Sequence, residues 1–81
     1  MGRAMTREER QEFLKILHAH AQTIAVCEAC AVTTRDLAAE VKRGGVPAPT
    51  DLGQTIATAE RVLADLAGVR EEVERLIAVF R

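Results

Sequence analysis

Cys27 and Cys30 are the side chains of this 81-residue chain whose type and spacing most directly invite chemistry. A Cys-x-x-Cys pair does redox work when a helix N-terminus lowers the pKa of its first thiol. It holds zinc when two further ligands complete a tetrahedron. Neither condition is met locally. The pair falls in the middle of a long helical pattern, where the dipole effect has faded, and His20 lies about 10.5 Å from Cys27 along such a helix. A metal or thiol site using His20, Cys27 and Cys30 therefore needs the same residues from a second chain. Absent such a site, the two thiols read as small apolar side chains buried in a reduced compartment. His18 and His20 point to different sides of a helix and cannot share one ion. His18 reads as exposed and His20 as a partly buried, hydrogen-bonded imidazole.

Other reactive constellations are thin. Glu8, Glu9 and Glu12, and again Glu71, Glu72 and Glu74, are interleaved with arginines and read as solvated faces. There is no Tyr, no Gly-rich phosphate loop and no Glu-x-x-His pair of the di-iron kind. No catalytic or cofactor-binding residue is assigned, and a non-enzymatic protein is expected.

The formal net charge is -1 and the only aromatics are Phe13 and Phe80, so nucleic acid is a disfavoured partner. Arg3, Arg7, Arg10 and Lys15 keep a small DNA-binding dimer as an alternative, although glutamates interrupt them. The stretch from Ile16 to Thr34 carries His18, His20, Gln22 and Glu28 and is too polar for a membrane span. The N-terminus lacks signal-peptide character, which makes a cytoplasmic location the expectation.

Two helices must position all of these residues. Residues 1–5 read as a disordered N-terminus or tag. Thr6 with Glu9 forms a capping box, and no Gly or Pro follows until Gly44. This predicts helix 1 over 6–42. Gly44-Gly45, Pro47 and Pro49 make a turn over 43–50. Thr50 or Asp51 caps helix 2 over 51–81, and residues 1–81 form one domain. At 1.5 Å per residue the helices would run about 54 and 45 Å, and the short turn makes them an antiparallel all-α hairpin. A three-helix bundle with a break near Thr33 is the rival division, because Thr33 and Asp36 sit at capping-box spacing. Gly53 and Gly68, inside helix 2, read as close-packing points.

Helix 2 shows an apolar seam through Ile56, Ala59, Leu63, Leu66, Arg70, Val73, Ile77 and Phe80. The seam expected on helix 1 runs through Phe13, Leu17, His20, Ile24, Cys27, Ala31, Thr34, Ala38 and Val41. Folding one onto the other brings Phe13 against Phe80, and Glu28 is a candidate partner for Arg70 across a dimer. The segment from Thr23 to Val32 is apolar around almost its whole circumference, more than one facing helix covers. A second copy of the chain is the simplest cover, giving a two-fold four-helix bundle. Ile24, Cys27, Cys30, Ala31, Leu63, Leu66, Val73 and Ile77 are the residues expected to self-associate. The function that fits is a protein-protein interaction module: an adaptor, small chaperone, regulator or inhibitor that homodimerises and meets another protein.

Overall fold

A computed structural model describes residues 3–81 and shows two helices, α1 (Arg7–Arg43) and α2 (Leu52–Phe80), packed as an antiparallel hairpin 61 Å long. Residues 1–2 of the expected N-terminal tail lie outside the described residues. Helix α1 starts where the capping box demands. The Glu9 amide donates to Thr6 Oγ1 at 3.1 Å and the Thr6 amide donates to Glu9 Oε1 at 3.0 Å, so two orphaned donors are satisfied reciprocally. Arg3 reinforces the cap through a hydrogen bond to Glu9 Oε2 at 2.7 Å. That guanidinium, with the Thr6 bonds, holds the Glu9 carboxyl down at about 2.

The helix then runs unbroken through the β-branched segment. Thr33 Oγ1 donates to the Ala29 carbonyl at 3.0 Å and Thr34 Oγ1 to the Cys30 carbonyl at 2.9 Å. Because the Thr33 hydroxyl bonds backwards into the preceding turn, it caps nothing, and the three-helix division is set aside. Chain reversal follows at the glycines. The Gly44 amide donates to Glu40 O and the Gly45 amide to Lys42 O, each at 3.1 Å. Gly45, at φ +71°, takes the left-handed conformation that other residues avoid. Asp51 caps α2 by accepting from the Gly53 amide at 2.9 Å and the Gln54 amide at 3.3 Å.

Between the helices, Ile24, Ala31, Ala38, Ala59, Val73 and Ile77 are buried. Ile24, Val73 and Ile77 form the core cluster, with Leu14, Leu17, Ala21 and Leu66 packed against it. The larger buried side chains gather toward the open end and alanines line the turn end. At the open end Phe13 and Phe80 stack with ring centroids 5.3 Å apart and planes 13° off parallel, matching the expected layer.

The helix 2 seam stands as expected, except that Arg70 is exposed. The helix 1 seam is corrected by one residue at four of its nine positions. Leu14, Ala21, Glu28 and Arg35 are the half-buried row, whereas Phe13, His20, Cys27 and Thr34 are exposed beside it. Glu28 is tolerated on the seam because Arg70 Nη1 donates to its Oε1 at 3.1 Å. That pair forms within one chain, not across a dimer. On the outer face of α2, Arg75 pairs with Glu72.

The two helical glycines differ. A Cβ on Gly53 would meet Asp51 Oδ1 at 3.2 Å and Lys42 Nζ at 3.3 Å, which fits a close-packing point at the base of the turn. A Cβ on Gly68 would meet nothing within 4 Å, so Gly68 is no packing point. Gly68→Ala is therefore expected to stabilise the hairpin by up to about 1 kcal/mol, read as a rise in the urea midpoint at unchanged slope.

Candidate functional site: an exposed apolar face

The side chains picked out by sequence divide sharply in the structure. Ile24, Ala31, Val73 and Ile77 are buried between α1 and α2, so the hairpin itself already uses them. Leu63 and Leu66 are half-buried. Cys27 and Cys30 are free thiols and both are exposed, as are His18 and His20. In the single hairpin neither the cysteines nor His20 is buried, so any cover for the expected self-association positions Cys27 and Cys30 has to come from outside the chain. They belong to the row beside the seam, or the one beyond, not to the core. Among the described residues, no three His, Cys, Asp or Glu side chains come together to hold a metal ion within one chain.

The exposed rows form a continuous surface. Stepping at 100° per residue, Phe13, His20, Cys27 and Thr34 flank the buried row of α1, and Ile16, Thr23, Cys30 and Leu37 form the next row outward. These positions contain no Asp, Glu, Lys or Arg over a span of about 36 Å. On α2 the matching row is Thr55, Val62 and Val69. The two rows lie on the same side of the hairpin, because Cys27, Cys30 and Thr34 share an apolar groove of about 380 Å³ with Thr55, Thr58 and Val62. Ala31 and Ala59 lie in its floor. A second shallow hollow on α1 abuts it and shares Val26, Cys30 and Thr34.

Large apolar side chains stand out on this face: Val26 is 62% exposed, Leu37 58%, Val69 51%, Ile16 47% and Phe13 46%. Isolated exposed apolar residues are ordinary, but a contiguous patch is not. Four threonine hydroxyls on or beside the face already donate to their own helix. Thr23 donates to Ala19 O at 3.1 Å and Thr55 to Asp51 O at 3.2 Å, as Thr33 and Thr34 do to their own helix. Covering the face therefore strands no hydroxyl donor of these threonines, which removes a main cost of burying polar groups.

Sequence reasoning finds the middle of this face through the all-round apolar segment, and Val62 and Val69 as flanks that widen the helix 2 seam into a bundle face, but it misses Phe13, Ile16 and Leu37 as surface. The signal that could have found them is the seven-residue repeat of apolar or uncharged side chains one position away from the seam.

The arginine-bearing N-terminal turn offers a weaker site. Arg3 is already tied to Glu9, and Arg7, Arg10 and Lys15 share the turn with Glu8 and Glu12. Among the described residues no helix is long and apolar enough to cross a membrane. No family model, curated protein or solved structure matches the chain.

Proposed function

We propose that this chain is a non-enzymatic protein-protein interaction module that acts as a self-associating helical hairpin, in the manner of an adaptor, small chaperone, regulator or inhibitor. The observation that carries the reading is the uncharged face from Phe13 to Leu37, bordered by Val62 and Val69, with its groove at Cys27 and Cys30. A two-helix layer buries too little. No described side chain falls below 2% exposure, and three of the six buried residues are alanines.

Surface area points the same way. The hairpin exposes 6267 Å². A compact monomer of 8.8 kDa exposes about 4,800 Å² by the scaling of surface with mass. The excess, about 1,500 Å² per chain, is what one partner contributes to an obligate homodimer. A net charge of -1 puts little electrostatic repulsion in the way of pairing. The apolar face is the site of assembly in this reading, and the remaining helix surface is free to meet another protein.

Static light scattering on the purified chain tests the proposal. A dimer mass at micromolar concentration is the expected result, and a stable monomer with full helical circular dichroism would sink the reading. The same sample, analysed for bound metal, addresses the thiol-bearing bundle: zinc in stoichiometric amount that leaves with Cys27→Ser and Cys30→Ser would favour a metal site over a bare apolar contact.

A further inference from the structure

The exposed face carries both bulk and a hollow. Phe13 and Ile16 project from α1 toward the open end, Val26 stands on the rim of the groove and Leu37 beyond it toward the turn. Between Ile16 and Leu37 the face is hollow, because Cys27, Cys30 and Thr34 face Thr55 and Thr58 over a floor of alanines. A surface with its knob and its hole on the same side complements a copy of itself in one orientation only.

Two hairpins stacked through this face can be related by either of two dyads lying in the plane between them. One runs along the helices, leaves both turns at the same end and stacks α1 over the partner's α2. It sets bulk against bulk at the open ends and hollow against hollow near the turns, and an enclosed apolar void costs stability in proportion to its volume. The other dyad runs across the helices, places the turns at opposite ends and stacks α1 over α1 in antiparallel fashion. It brings the bulk of each copy over the hollow of the other.

Resting on the self-association proposed above, we infer that the dimer adopts the second arrangement, with its dyad close to Thr23, so that Ile16 of each copy enters the groove beside Cys30 of the other. Ile16 and Cys30 lie in the same exposed row as Thr23, seven residues before and after it. Almost the whole of α1 is overlapped when Thr23 lies on the axis, since the helix runs from Arg7 to Arg43. The occupant of the groove is therefore a second copy of this chain. The two Cys30 thiols lie about 21 Å apart along the helices in this arrangement, and the two Cys27 about 12 Å. Four thiols do not converge, which separates this geometry from a shared metal site.

Thiol cross-linking reads the arrangement directly, because a residue on the dyad meets its own copy and a disulfide needs Cα atoms within about 7 Å. In a Cys27→Ser, Cys30→Ser background that scatters as a dimer, Thr23→Cys is expected to give mostly covalent dimer under mild oxidation, whereas Leu37→Cys stays uncross-linked within the dimer. Ile16→Ala, which removes the knob at a position 47% exposed, is expected to raise the dimer dissociation constant at least about tenfold, with helicity retained. A Thr23→Cys protein that scatters as a dimer yet yields no covalent product overturns this geometry while leaving self-association standing. A monomeric wild-type chain overturns both.

Discussion

Ile77→Ala is expected to leave the chain largely unfolded. Ile77 is 6% exposed and shares the core cluster with Ile24 and Val73 only, backed by half-buried Leu14, Leu17 and Leu66. Removing a buried Ile side chain to Ala costs about 2–5 kcal/mol, through lost transfer energy and the cavity left behind. A chain of 81 residues has about 4–12 kcal/mol of stability in total. With three large buried side chains in a core one layer deep, the lower part of that range applies, and one substitution removes most of it. Urea titration followed by circular dichroism at 222 nm checks this. Val79→Ala, at a position 62% exposed, is the control and should shift stability by no more than about 0.5 kcal/mol. A midpoint for Ile77→Ala close to that of the control would mean that the hairpin core lies elsewhere.

The second large effect is expected at the groove. Cys30→Asp places a carboxylate on a side chain that is exposed in the single hairpin, so the helix itself tolerates it apart from a small loss of propensity. In a dimer covered through this face the same carboxylate is buried without a partner, and two-fold symmetry buries it twice. An uncompensated buried charge costs several kcal/mol, so the dissociation constant should rise by about 1,000-fold or more. Sedimentation at micromolar concentration should then show monomer. The melting temperature of the wild type should climb with protein concentration and that of the variant should not, because mass action stabilises only the species that associates. Equal sedimentation of the two proteins would remove the groove from any interface.

Much of the architecture was legible because local rules decide it. Thr6 and Glu9, Gly45 with the two prolines, and Asp51 each act within a few residues of themselves, and they set both helix ends and the reversal. The Phe13–Phe80 layer followed from hairpin symmetry alone. The row beside the core on α1 was less legible. His20 and Cys27 look better suited to a seam than Glu28 or Arg35, and periodicity tolerates either choice, since both flank Ile24 and Ala31. What decides is Arg70, more than forty residues away in sequence, whose ion pair lets Glu28 sit at the contact. No window on the sequence contains both partners. The misplaced row accounts for the expectation that Cys27 is interior, whereas Ile24, Ala31, Val73 and Ile77 lie on seam positions that the hairpin itself buries. Gly68 failed for a related reason: whether a glycine marks a close approach depends on what stands opposite, and there nothing does.

The turn bears on how such a chain can assemble. Matched helices joined by a loop can in principle trade arms, each molecule opening and completing the fold of another through identical contacts. That route needs the connector to straighten, most simply by running α1 into α2 as a single rod. Pro47 and Pro49 oppose it, since an interior proline costs a helix about 3 kcal/mol or more, and Gly45 at φ +71° is already committed to reversal. Arm exchange through one continuous rod is therefore opposed at the hinge.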